Sequence, residues 1–142
     1  MSWQPYVDET LKGTDKDDSY IAGIFGLDGK PLAVHPSTFS PSENDVKALA
    51  EVIDGNDRET VQVNGCMFQQ WKYAIVRSEG NMVSLQRKRT TENEQLSAGD
   101  KWPLCIYKTK SVIIIRISKL GVEAGRDNTG KVGGVGDYLN AH

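Results

Sequence analysis

Apolar residues near the start of the chain fall at Trp3, Val7 and Leu11, every fourth position, with Gln4, Asp8 and Glu9 between them. That spacing predicts an amphipathic helix over residues 3–12 with its stripe laid on a core. Ser2 stands where an N-cap would, Pro5 is tolerated in a first turn, and Gly13 ends the segment. The period then drops to two. Residues 20–26 and 30–34 flank Asp28-Gly29, a pair that supplies the positive φ a tight hairpin turn demands. Ser40-Pro41-Ser42-Glu43 reads as a capping box with proline at the first helical position. It opens a helix whose buried side is Val46, Leu49, Ala50 and Ile53 and which Gly55 closes.

From Thr60 onward the pattern is that of strands. They are expected at 60–63, at 66–77 after an Asn64-Gly65 turn, and at 82–88 after Glu79-Gly80-Asn81. A polar stretch at 90–101 leads to strands at 104–109 and 111–118, the second rich in isoleucine and so interior. Six or seven strands in an antiparallel meander are the consequence. From Gly121 the tail holds six glycines yet ends in Gly136-Asp137-Tyr138-Leu139-Asn140, which reads as a terminal helical turn. Each glycine inside a helix costs about 1 kcal/mol relative to alanine, so this helix is expected to be short or to start late.

A length of 142 residues suits one domain, spanning 1–142, with a core that needs no metal or disulfide. The longest apolar run, from Val112 to Ile115, is too short to cross a bilayer, and nothing near the N-terminus forms a signal-peptide h-region. A cytoplasmic protein is the expectation, with Cys66 and Cys105 as buried thiols. The net charge of −2 hides a segregation: residues 1–70 carry five Lys or Arg against twelve Asp or Glu, and residues 71–119 carry ten against four. Those later strands should therefore offer a basic surface to an acidic protein or to anionic lipid headgroups, with ordinary solvated strand faces as the alternative. The overall acidity and the lack of a recognition motif argue against nucleic acid.

Chemistry-bearing residues are sparse. The two histidines, His35 and His142, belong to no nucleophile or metal pattern, and Asp17-Asp18, Glu92 and Glu94 read as solvated loop charge. Gly125-Arg126-Asp127-Asn128-Thr129-Gly130-Lys131 matches the first seven positions of a phosphate-binding loop, but Val132 stands where a magnesium-binding hydroxyl is needed. A glycine-rich turn before the last helix explains the same residues. An enzyme is thus not expected, and no cofactor is called for. Trp3 and Tyr6, by contrast, lie three apart on one helix, each with an apolar face and a polar tip. Burial explains such a pair, and so does a surface on which a polyproline II ligand docks.

The order of elements, with a Trp-and-Tyr helix first, an antiparallel sheet between and a Tyr-Leu helix last, resembles the profilins over essentially the whole chain. The likeness is carried by Ser2-Trp3-Gln4-Pro5-Tyr6-Val7-Asp8, Val63-Asn64-Gly65, Lys72-Tyr73-Ala74-Ile75-Val76-Arg77, Lys119-Leu120-Gly121-Val122 and Gly136-Asp137-Tyr138-Leu139. It implies a single α/β (α+β) domain in which the terminal helices share one face of a six- to seven-stranded antiparallel sheet and shorter helices lie on the other. It also implies a cytoplasmic, cytoskeletal and monomeric protein with three kinds of partner. Monomeric actin would meet Val63, Lys72, Ile75, Arg77, Val122, Gly125 and Asn128. Proline-rich segments of filament nucleators and elongators would cross Trp3, Tyr6, Leu32, Tyr138 and Leu139. Phosphoinositide headgroups would be drawn to Arg87, Lys88 and Arg89. Such a protein sequesters actin monomers, promotes nucleotide exchange on actin and delivers monomers to filament ends. Leu32 departs from the family, which commonly has a second groove tryptophan at the matching position. A small-ligand, sensor-like α/β domain with a closed pocket is the competing expectation, and a nucleotide-binding enzyme is a more distant one.

Overall fold

The computed structural model describes residues 3–10, 20–35, 39–53, 66–68, 71–87, 102–118 and 125–141. In chain order these form α1 (Gln4–Thr10), β1 (Tyr20–Gly26), β2 (Pro31–His35), α2 (Glu43–Ile53), β3 (Cys66–Phe68), β4 (Trp71–Glu79), β5 (Met82–Arg87), β6 (Pro103–Lys108), β7 (Val112–Ser118) and α3 (Gly125–Ala141). All seven strands join one sheet in the order β2-β1-β7-β6-β5-β4-β3. Every neighbouring pair is antiparallel. The meander therefore runs from β3 to β7, and the β1–β2 hairpin is added along β7.

Strand alternation divides the interior into two cores. On β7, Ile113, Ile115 and Ile117 face a cluster that α2 closes with Val46, Leu49, Ala50 and Ile53. Val112 and Ile114 face the opposite cluster, which holds Val7 of α1 and Val132 and Val135 of α3. Both faces of β7 are covered, so it needs no polar side, and the isoleucine run is accounted for. The terminal helices share one side of the sheet, and α2 takes the other.

Local chemistry sets several boundaries differently from the sequence pattern. In α1 the Trp3 carbonyl accepts from the amides of Tyr6 (3.1 Å) and Val7 (3.3 Å), so Trp3 itself heads the helix. Ser2 and residues 11–13 lie outside the described residues. The cap of α2 is Ser42, not Ser40: its Oγ accepts from the Asp45 amide at 3.1 Å, and Asp45 Oδ2 accepts from the Ser42 amide at 3.4 Å. Pro41 consequently precedes the cap, where it and Val46 occupy the two positions of a hydrophobic staple, and both are buried. The expected strand at 66–77 is a hairpin instead. Cys66 pairs with Tyr73 and Phe68 with Trp71, so the chain reverses between Phe68 and Trp71 without glycine, proline or asparagine. At the first hairpin Gly29 has φ 89°, and a Cβ there would come within 2.5 Å of the Glu43 carbonyl oxygen at the head of α2. Only glycine satisfies both conditions.

The largest difference is α3. It is neither short nor late: it spans 17 residues from Gly125 to Ala141, straight through the glycines. Packing offsets the poor propensity. Gly136 lies against the ring of Tyr107 on β6, where a Cβ would come within 2.5 Å of the aromatic carbons. The residues that mimic a phosphate-binding loop are thus the opening turns of this helix and do not form a loop or turn before it.

Candidate functional site: an aromatic face and a basic strand

The ends of the chain meet on the helix side of the sheet. Trp3 and Tyr6 lie one turn apart on α1, with ring centroids 5.6 Å apart. The Tyr6 ring is 6.3 Å from that of Tyr138 on α3. Trp3, Tyr6 and Leu139 are half-buried against the helix-side core, whereas Tyr138 is 53% exposed. Three rings thus form a row, half-buried at Trp3 and Tyr6 and exposed at Tyr138, whose chemistry suits flat pyrrolidine rings and their unpaired carbonyls. Four of the five residues expected at this site are brought together. The fifth, Leu32, lies on β2, the edge strand against which α1 packs. Ile24 pairs with Ala33 and Phe25 with Pro31, which makes Leu32 the extra residue of a bulge. It is 44% exposed and belongs to neither core, whereas Ala33 beside it packs on the helix side. Residue alternation gives no warning of such a bulge.

A second set of residues holds α3 in place. The Tyr107 hydroxyl donates to Asp137 Oδ1 at 2.7 Å. The Lys110 amide donates to Asn140 Oδ1 at 3.0 Å. Burial, and then the hydrogen bond and negative charge of Asp137, push the Tyr107 phenol up to about 12. Sequence reasoning gave Tyr107 no part beyond its strand. The available signal was Gly136, whose missing side chain marks a close approach.

The expected actin-facing residues divide. Lys72 and Ala74 lie on the helix side of β4, because Tyr73 between them belongs to the α2-side core. Ile75 points to that same α2-side core and is half-buried there, so it does not share a surface with Lys72. Ile75 pairs with Leu85 and Arg77 with Ser84, which leaves Val76 as an extra residue, 63% exposed. In a regular strand Arg77 would fall on the side of Tyr73 and Ile75. The bulge returns it to the side of Lys72 and Ala74. Contacts of α3 step from Lys110 at the β6–β7 turn, to Tyr107 on β6, to Met82 on β5 beside Gly133. The opening turns, with Gly125 and Asn128, lie farther along the same helix, Gly125 about 12 Å beyond Gly133 at 1.5 Å per residue. Val63 and Val122 lie outside the described residues.

Arg87 is not a surface cation. It is 9% exposed, its guanidinium carbon sits 3.7 Å from the centroid of the Trp102 ring, and its Nε donates to the Tyr73 hydroxyl at 3.2 Å. Burial raises the Tyr73 phenol, and the Arg87 charge and hydrogen bond partly counter it. Lys88 and Arg89 lie outside the described residues. Arg116 is also fully buried, so the basic surface of residues 71–119 is weaker than their formal charge suggests. Cys105 is buried, and desolvation lifts its thiol to about 12, the state of an inert packing residue. Among the described residues, no helix is long and apolar enough to cross a membrane.

The chain is similar to solved structures across nearly its full length. Profilin II of Acanthamoeba castellanii is 25% identical, with a TM-score of 0.70, and the match covers 99% of this chain and 98% of that one. Human profilin II is 21% identical, with a TM-score of 0.67, covering 99% of this chain and 100% of the other. Mouse profilin IIa, solved in complex with a double repeat from the FH1 domain of mDia1, is 21% identical with a TM-score of 0.69 over 99% and 98% of the two chains. The family model described as Profilin matches residues 1–142. The family model spans the chain from its first residue to its last, the solved structures share its fold, and the chain belongs to the profilin family.

Proposed function

We propose that this chain is a regulator of actin polymerisation that binds proline-rich segments between its terminal helices and monomeric actin through the outer strands. The row of rings at Trp3, Tyr6 and Tyr138 carries this reading. It is open to solvent at Tyr138 and fixed to the core at Trp3 and Leu139. The mouse relative's complex with an FH1 repeat is consistent with a peptide-binding role. On the actin side the reading rests on Lys72 and Arg77, which the β4 bulge sets on one face beside exposed Val76. A phosphoinositide headgroup would rest on Lys88 and Arg89 without Arg87.

Titration with a proline decamer, followed by tryptophan fluorescence, tests the groove. Trp3 would report on a ligand laid across it, over a steady background from Trp71 on β4 and from Trp102, stacked on Arg87. Trp3→Ala should weaken binding by about thirtyfold, the effect of roughly 2 kcal/mol from a buried aromatic anchor. Leu32→Trp should strengthen it by adding a stacking surface and an indole N–H donor, and a variant that binds no better refutes the placement of Leu32 in the groove. A parent protein with no saturable response refutes the groove and favours the sensor-like alternative.

A further inference from the structure

We propose that Tyr107, Asp137 and Asn140 are positioning residues for the ligand groove, fixing the rotation of the last turns of α3 so that Tyr138 and Leu139 stand against Tyr6. This rests on the reading of the aromatic face as a groove for proline-rich ligands. Asp137 and Asn140 are three apart on α3 and so share one side of the helix. The Tyr107 hydroxyl donates to Asp137 Oδ1 at 2.7 Å, and Asn140 lies near enough to the same phenol to help counter its upward shift. Asn140 Oδ1 in turn accepts the Lys110 amide at 3.0 Å, which ties the network to the β6–β7 turn. Tyr138 and Leu139 are the two residues enclosed by this pair of anchors.

The helix needs such a device because its own sequence gives it little purchase. Between Gly130 and Gly136, the described side chains that reach the core are Val132 and Val135, and Gly130, Gly133 and Gly134 contribute no side chain. Successive residues are about 100° apart around a helix, so a modest roll would carry the Tyr138 ring off the row. Gly136 against Tyr107 adds a steric key, since the ring fits only where the helix has no Cβ. The polar pair then selects one rotation among those the glycines would allow.

The test uses the full chain, a proline decamer and temperatures well below unfolding. Tyr107→Phe keeps the ring against Gly136 and removes the hydroxyl. Asp137→Ala reaches the same bond from the helix and raises helix propensity, so weaker binding by this variant cannot reflect a poorer helix. Each should weaken decamer binding about three- to tenfold, the effect of one lost hydrogen bond. On a Tyr138→Ala background, Tyr107→Phe should cause a smaller loss than in the parent, because only Leu139 is left to be misplaced. In the absence of ligand, amides of residues 138–141 should exchange faster in Tyr107→Phe than in the parent, with β7 unchanged. A merely structural role would lower the melting midpoint and leave the Kd as it was. Unchanged affinity in both variants, or unchanged exchange, overturns the positioning role. A parent that does not bind the decamer overturns the groove instead, and persistence of the exchange difference tells the two failures apart.

Discussion

Tyr107 links a single proton to the position of a helix. Its phenol is raised from 10.0 to about 12, first by burial and then by Asp137. The neutral form is favoured in the folded state, so the stabilisation is whole below pH 10 and is lost as pH climbs from 10 toward 12. Tyr73 shifts in the same direction, which makes the comparison of parent with Tyr107→Phe the informative one. The urea midpoint of the variant should fall less steeply over that alkaline range. Arg87 offers the converse lesson about charge. Arg87→Ala would strip the Trp102 ring of its cation and leave the buried Tyr73 hydroxyl without this donor. A loss of about 2 kcal/mol in stability is expected, with little change in affinity for phosphoinositide vesicles. Formal charge along a sequence counts Arg87 and Arg116 as surface, because nothing local to either position records that a tryptophan or a second core covers it.

Among the helices, α3 shows that propensity and packing act with different signs at glycines a few residues apart. Gly134 is exposed, and a Cβ there would meet nothing within 4 Å. Gly134→Ala should therefore stabilise by up to about 1 kcal/mol. Gly136→Ala gains the same propensity but drives a methyl group into the Tyr107 ring, and a net loss of about 1–3 kcal/mol is expected. Thermal melts of the two variants should move in opposite directions. The helix was legible at its end, in Tyr138 and Leu139, but not through its middle, where the support comes from a strand residue far away in sequence. Strands were legible where alternation met the glycine turns Asp28-Gly29 and Gly80, while the strand expected at 60–63 lies outside the described residues. The β3–β4 reversal carries no such mark, so its two arms read as one strand.

Across the sheet, the aromatic row and the basic strand stand well apart. The α1 end of the row packs on β1 and β2 and the α3 end on β6 and β7, whereas Lys72 and Arg77 are on β4, which the strand order puts four places from β1. At about 4.8 Å per strand that is roughly 19 Å. A proline-rich peptide and an actin monomer should therefore bind together, and a saturating decamer should change actin affinity little. Arg77→Glu should reduce actin binding sharply, because like charges set against an acidic partner cost several kcal/mol, and should spare the decamer. Sedimentation or anisotropy with each ligand in turn would check both statements. Which face each side chain of β4 occupies could be read from alternation only as far as Ile75, because the bulge reverses the pattern after it.

That bulge also says which length changes this fold can absorb. Val76 is one residue more than the ladder requires, since Ile75 and Arg77 already take consecutive partners on β5. An in-frame deletion of Val76 would join them as regular neighbours and leave every other β4 side chain on its present face. In β7, where the pairings run on without a break, removing one residue would turn half the strand inside out and carry isoleucines from one core to the other. A related chain can thus lose the codon at position 76 with Arg77 still presented, a freedom that the unbroken pairings of β7 do not share.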